Sequence, residues 1–412
     1  VSFPESVSWI GQAALKGCES LCRAVWPGRI NAAEAEVFSG CVNLTKVCWG
    51  QDEFLPVPWQ TVKERAFYNC RSLGQISLEH VLSVGKEAFK GCCSFRPQKA
   101  DALRQVGDNA FEHTLCDDNS FSFSAVGSVL VDGRRCLGRV EVPEGITAIG
   151  PFAFAGNRQV TGLCLPESLR NIGDGAFWGC SGLTDIRFPS FLDTVGMRAF
   201  EKCAGLVRVV LWAGFVGAAA FAYCVSLEKA VLKGPGILEP RLFEGCRNLR
   251  ECLCSQASVV GRYCFSGCGK LEVFDFRTVR EVRDYGFQNC DSLRHAAFMD
   301  NTVIRPHAFE DCGRLERIFL DGPQGQVRLY EYAFSGCTAI SRVVFQGKAW
   351  TFGEYRDIVR DTIPEMVRLI FHSGFSCFDV EKEEILCGYR GAGRIVRIPR
   401  GIRRIEAEVF RD

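Results

Sequence analysis

The chain has 412 residues, 49 lysines and arginines against 48 aspartates and glutamates, and a formal net charge of +1. So even a balance provides no field for nucleic acid or an anionic membrane surface, and neither is expected as a partner. At this length a globular chain would usually divide into two or three domains, and the 47% of hydrophobic residues supply ample core.

A repeat overrides that expectation. The opening Phe3-Pro4-Glu5-Ser6-Val7-Ser8-Trp9-Ile10-Gly11 matches Leu165-Pro166-Glu167-Ser168-Leu169-Arg170-Asn171-Ile172-Gly173, so the chain starts inside a unit. The skeleton Ala-Phe-x-Gly-Cys-x-x-Leu then recurs. Its anchor is Leu15 and then Phe38, Phe67, Phe89, Phe111, Phe154, Phe177, Phe200, Phe221, Phe243, Phe265, Phe287, Phe309 and Phe334, mostly 21 to 25 residues apart. A fixed period of this size means one supersecondary unit stacked on itself.

Each unit reads in three parts. An alternating run such as Leu183 to Phe188, stopped by Pro189, is a strand. A short apolar pair such as Ile172-Gly173 or Val195-Gly196 is a second bridge, and Gly175 to Trp178 is one tight helical or 3₁₀ turn, closed by a left-handed residue at Gly179. From Val209 to Leu227 no residue is charged, long enough to imitate a membrane span. The repeat frame reads it instead as strand, Phe221 anchor and turn.

The period breaks twice. Between Phe111 and Phe154 the sequence Val129 to Arg134 places Asp132-Gly133 between apolar runs, which signals a hairpin. After Phe345, residues 353–360 can form an amphipathic helix stopped before Pro364, and Met366 to Phe371 reads as a strand. Val396-Arg397-Ile398-Pro399-Arg400-Gly401-Ile402 then parallels Val140-Glu141-Val142-Pro143-Glu144-Gly145-Ile146, and Phe410 is the anchor of a further unit. The expected organisation is repeats over 1–116, a hairpin interruption or restart over 117–150, repeats over 151–346, a helix–strand insertion or cap over 347–373, and a second restart over 374–412.

Twelve of the 23 cysteines form one column, three residues after the anchor: Cys18, Cys41, Cys70, Cys92, Cys180, Cys203, Cys224, Cys246, Cys268, Cys290, Cys312 and Cys337. Free cysteine packs as a small buried hydrophobe. Coils about 4.8 Å apart would carry these thiols in register and pointing the same way, whereas a disulfide needs converging Cβ atoms. A reduced thiol ladder is expected, with serine at any rung bringing an unpartnered hydroxyl into the core.

The unit Leu-Pro-x-x-Leu-x-x-Ile-Gly-x-x-Ala-Phe-x-Gly-Cys-x-x-Leu, at Leu165 to Leu183, resembles the BspA-like class of leucine-rich repeats, and the two interruptions resemble its restart modules. The resemblance covers almost the whole chain apart from about residues 347–373. It implies a right-handed repeat solenoid with β-strands on a concave face and short turns elsewhere. It also implies a bacterial or protist cell-surface or secreted protein that binds host proteins or other cells, with no catalytic residue to carry over.

Signals of other chemistry are weak. Cys18-x-x-x-Cys22, Cys252-x-Cys254 and Cys264-x-x-x-Cys268 have zinc-like spacings, yet the repeat already assigns these cysteines to core positions. His80, His113, His295, His307 and His372 fit no ligand motif. Gly322 to Gly325 is a turn rather than a phosphate cradle, and no paired carboxylates are evident. Arg390, Arg394, Arg397, Arg400, Arg403 and Arg404 make a basic tail, read as a solvated strand face or, alternatively, as a site for an anionic partner. No metal, cofactor or enzymatic activity is expected.

The strand alternation singles out a surface. Positions 6, 9 and 11 after the anchor point inward, so positions 8 and 10 face out. The outward set includes Arg208, Lys229, His295, Arg317 and Arg342 in one column and Val210, Val231, Leu253, Phe319 and Val344 in the next. An apolar stripe beside a mostly cationic one suits a protein or other macromolecular ligand. The expected function is a non-enzymatic adhesion or protein-binding solenoid. The alternatives are an intracellular interaction scaffold with reduced cysteines, or an enzyme with its site in the 347–373 insertion.

Overall fold

The structure is a computed structural model. It describes residues 1–49, 58–74, 76–97, 100, 102–114, 123–299, 301–320, 327–330, 332–352, 364–374, 378–381, 385–389 and 404–405. The helix expected over 353–360, the turn at 322–325, the arginines at 390–403 and the Phe410 anchor lie outside these residues. The chain is a β-solenoid of about 13 turns with almost no helix. It divides into two compact units, Val1–Ala199 and Phe200–Asp412.

In the first unit, short strands stack in parallel as Ala32–Ala33, Thr61–Val62, Ser83–Val84 and Gln105–Val106. Longer strands pair on a separate side, Arg23–Trp26 with Lys46–Trp49 and, further on, Gly138–Glu141 with Val160–Cys164 and Asp185–Arg187. The interruption is a hairpin, Ser124–Val126 against Val129–Asp132. Its turn is Gly127-Ser128, with Gly127 at φ 58°, not the expected Asp132-Gly133. Asp132 instead accepts a hydrogen bond from the Arg134 N–H (2.9 Å), a local turn made by its side chain.

In the second unit the short strands Ile237–Leu238, Val259–Val260, Glu281–Val282, Val303–Ile304 and Arg328–Leu329 form one continuous parallel ladder. The uncharged stretch from Val209 is the strand Arg208–Val216 followed by a turn. Among the described residues no helix is long and apolar enough to cross a membrane. Met366 to Phe371, expected as a strand, lies in the helix Glu365–Gly374. Val367, Ile370 and Phe371 are buried while Leu369 is exposed, a helical rather than a two-residue period. Phe378–Glu381 and Ile385–Tyr389 pair antiparallel, and Arg404–Ile405 adds in parallel.

The turn joining the two strand sides explains the sequence skeleton. It is a run of i→i+3 hydrogen bonds, such as Trp178 N–H to Gly175 O (2.8 Å) and Cys180 N–H to Phe177 O (3.1 Å). It is not a helical segment, because residues two before and two after the anchor are both left-handed: Gly175 and Gly179 at φ 58° and 71°, Arg65 and Asn69 at 53° and 58°. The N–H groups at those positions and at the anchor therefore point along the stack. Phe67 N–H donates to Ala88 O and Phe89 N–H to Ala110 O, both at 2.8 Å, each in the next coil. These three N–H groups of each turn are satisfied by the neighbouring coil rather than by their own.

The anchor rings stack inside that ladder. Phe67 lies 5.1 Å from Phe89 at an interplanar angle of 1°, and Phe287 lies 5.1 Å from Phe309 at 5°. All are fully buried, and each such ring contributes about 1.5–3 kcal/mol of burial free energy. The column cysteines are buried beside them, except Cys18, which is exposed in the coil at the edge of the described stack. Ten of the thiols donate to the anchor carbonyl of the preceding coil, from Cys41 to Leu15 O (3.0 Å) to Cys337 to Phe309 O (3.0 Å). The column is thus a hydrogen-bonded rung as well as a packed one.

Candidate functional surface

The candidate residues sit on the long-strand side of the second unit, and the alternation places them as expected. Val209, Leu211, Ala230, Leu232, Ile318 and Leu320 are buried, while Arg208, Arg317 and Arg342 are exposed between them. Register brings the columns together in two runs. In the first, Arg208 pairs with Lys229, and Val210 with Val231 and then Leu253. In the second, His295 pairs with Arg317 and then Arg342, and Phe319 with Val344.

The two runs differ in character. In the first, the Lys229 ammonium is held by Glu251, which neutralises it. Val210, Trp212, Leu253 and Val273 are all exposed there, so this end is chiefly apolar. Trp212 was not singled out from the sequence. Its position continues the outward parity of Val210, and the nine-residue strand Arg208–Val216 alternates far enough to present it. In the second run Arg317 and Arg342 have no carboxylate partner among the described residues, and the cationic character survives.

The runs are separated because the long-strand ladder opens between them. Val273–Phe274 ends one sheet and His295–Phe298 begins another. Steps on either side remain bonded, Glu272 N–H to Arg250 O and Glu316 N–H to Arg294 O, both 2.9 Å. The other two sides of the same step are also intact: Val259 pairs with Glu281, and Phe265 N–H donates to Gly286 O at 2.8 Å.

Aromatic packing accounts for the opening. Earlier coils place Val209 and Leu211, Ala230 and Leu232, or Cys252 and Cys254 at the two inward positions; here they are Phe274 and Phe276. Phe274 meets Phe287 edge-on at 5.0 Å, and Phe276 meets Phe298 edge-on at 5.2 Å. Two edge-on rings side by side need more room than the usual strand spacing of about 4.8 Å.

The opening leaves a cleft of about 280 Å³. Phe274, Ala297 and Phe319 line its apolar part, and His295, Arg317 and the Asp275–Arg277 pair its polar part. Phe319 is therefore half-buried in a cleft wall rather than standing free in solvent. Asp275 takes three hydrogen bonds from Arg277: from its backbone N–H (3.0 Å), Nε (2.9 Å) and Nη2 (2.7 Å). The guanidinium holds the Asp275 carboxyl below the usual carboxylate range. This internal pair cancels its own charge, and Asp275, which interrupts the apolar column in sequence, adds no net field to the cleft.

The described residues contain no group of three or more metal-ligating side chains. The suggestive cysteines Cys252, Cys254, Cys264 and Cys268 are buried thiols.

A family model described as BspA type leucine-rich repeat region matches in six copies, over residues 1–118, 134–250 and 258–378. Among solved structures, a leucine-rich repeat protein from Bacteroides ovatus is similar, with 21% identity, 83% of this chain and 86% of that chain covered, and a TM-score of 0.38. A leucine-rich cell surface protein from Faecalibacterium prausnitzii shows 23% identity over 65% of this chain and 62% of that chain, at a TM-score of 0.31. The pneumococcal vaccine antigen PcpA shows 12% identity over 75% and 79%, at 0.33. Comparison with curated protein sequences gave no match.

Proposed function

Because the chain belongs to the BspA-type leucine-rich repeat family, we propose that it is a non-enzymatic solenoid that binds a protein partner through the long-strand side of its second unit. The family suggests a protein-binding or surface-associated role, and display on the cell surface or secretion is part of the proposal. The observation that carries it is the exposed apolar run of Val210, Trp212, Leu253 and Val273 continuing into His295 and the cationic Arg317 and Arg342. Desolvated apolar anchors supply affinity, and neighbouring charges steer the encounter.

The test compares the native chain with a Val210→Glu, Leu253→Glu chain, both immobilised and exposed to the same host and bacterial protein mixtures. A partner held by the native chain and lost by the substituted one supports the reading. Equal retention moves the binding surface elsewhere. Both positions are exposed, so the substitutions leave the core intact.

A second reading, an intracellular scaffold, draws on the sulfur. The 20 cysteines whose side chains are described are all free, 16 of them buried, a pattern more usual in a reducing compartment. Antibody labelling of intact against permeabilised cells separates the two.

A further inference from the structure

The cleft at the opened ladder has a composition the rest of the face lacks, and it narrows the chemistry of the partner. At about 280 Å³ it lies below the roughly 300–1,000 Å³ of pockets that enclose a whole small molecule. It suits one or two side chains of a larger ligand. Its floor is aromatic, and its one carboxylate is already taken by Arg277. Beside it, His295, Arg317 and Arg342 occupy the same position on successive parallel strands. The stacked guanidiniums of Arg317 and Arg342 disfavour one another, and a guanidinium accepts a carboxylate in a two-pronged geometry. An anion placed there relieves repulsion and gains charge-assisted hydrogen bonds.

Resting on the protein-binding reading above, we propose that this cleft captures an acidic side chain from an extended segment of a protein partner. Arg317 and His295 hold the carboxylate, and Phe274 and Phe319 pack against the apolar residues flanking it. The apolar run toward Val210 accommodates the remainder of the segment. An extended chain suits the site because its side chains alternate at the spacing of a strand, so apolar and acidic residues reach separate columns of the face.

The probe is a fluorescent, end-blocked octapeptide of alternating leucine and glutamate, titrated against the full chain beside its leucine–glutamine counterpart. A hydrogen bond to a charged group contributes about 1.5–3 kcal/mol, so the glutamine peptide is expected to bind at least about tenfold more weakly. Arg317→Gln is expected to weaken the glutamate peptide by a similar factor with an unchanged melting curve, and His295→Gln to weaken it independently. Hydrogen exchange gives a readout free of mutation. Amides at 295–298 should exchange faster than those at 317–320 and slow on peptide addition.

Equal affinity for the two peptides, full affinity in Arg317→Gln, or binding of neither peptide overturns the proposal. So does capture of heparin by the same arginine without capture of the peptide, which would mark a polyanion site. The outcomes are separable from the broader reading. A partner lost on Val210→Glu, Leu253→Glu but held fully by Arg317→Gln sinks the cleft and leaves the face. Specific glutamate-peptide binding by a chain whose partner ignores the Val210 face does the reverse.

Discussion

The Cys70 thiol donates to the Phe38 carbonyl oxygen at 3.0 Å, across 32 residues of chain. The same carbonyl accepts the Cys41 N–H of its own coil, also at 3.0 Å. One main-chain oxygen therefore closes a turn and bonds the next coil. A serine in this column is not left without a partner, contrary to the sequence-based expectation, because its hydroxyl faces the same acceptor.

Cys70→Ser is therefore expected to cost about 1 kcal/mol, the worth of one hydrogen bond rearranged. Cys70→Val removes the donor and adds bulk between close-packed coils, costing about 1–3 kcal/mol. Urea unfolding midpoints rank the two; a serine variant weaker than the valine variant would show that sulfur's size outweighs its donor.

Thiol accessibility should divide sharply. Cys18, Cys22 and Cys93 are exposed, and the 16 buried cysteines run from Cys41 to Cys337. A maleimide applied to native protein should modify the first three quickly and the buried set only in denaturant, as read by mass spectrometry of peptides. Rapid native labelling of Cys246 or Cys268 would contradict the stacked turn.

Stability should collapse at alkaline pH. Burial pushes the Cys41 thiol up to about 12 and raises Cys224, Cys264 and Cys268 well above the ordinary value. A thiol raised on folding contributes fully below the unfolded value of about 8.5 and loses ground as pH climbs toward the folded value. Each one then costs about 1.4 kcal/mol per pH unit, and a handful exhaust the 5–15 kcal/mol of an ordinary domain. Under reducing conditions the chain is expected to unfold cooperatively between about pH 9 and 11; a flat urea midpoint from pH 7 to 10 would refute this.

Gly173 marks a close approach between coils. A Cβ there would stand 2.6 Å from the Pro151 nitrogen. Gly173→Ala is expected to lower stability by about 1–3 kcal/mol through overpacking, a drop visible in thermal melts. Arg283 and Arg305 occupy the same place four residues before their anchors, so the coil yields locally and the fold survives. An unchanged melting temperature would show that it yields at no cost.

On the proposed binding face, Phe319→Ala should weaken the partner by at least about 2 kcal/mol if the ring is an anchor, with little loss of stability because the ring is only half-buried. The double reversal Arg317→Glu, Arg342→Glu should slow association, most at low salt. Surface plasmon resonance at two ionic strengths reads both; salt-independent kinetics in the native chain would remove charge steering.

Periodicity made the coil legible, because one anchor and one thiol per turn leave the same mark at every step. Outward parity at Arg208, Val210 and Arg317 followed from strand alternation. The left-handed residue two before the anchor was hidden, since residues as varied as Arg65, Tyr263, Tyr285 and His307 fill it and Gly175 is one glycine among them. The helix at Glu365–Gly374 was hidden by its shortness, as a brief apolar run fits either period. The cleft was hidden more deeply. It depends on how Phe276 and Phe298 turn their rings toward each other, which no spacing encodes.

The step from Phe265 to Phe287 keeps its turn bonds and short-strand pairing but not its long-strand pairing. That makes it a mechanical seam. A tethered protein pulled along the stacking direction meets three bonded edges at the steps on either side and two here, so this gap widens before its immediate neighbours do. The cleft lies in the same gap, with Phe274 on one lip and Arg317 beyond the other. A segment seated across it is a clasp, and load that widens the seam also loosens the grip, giving a bond whose lifetime depends on force.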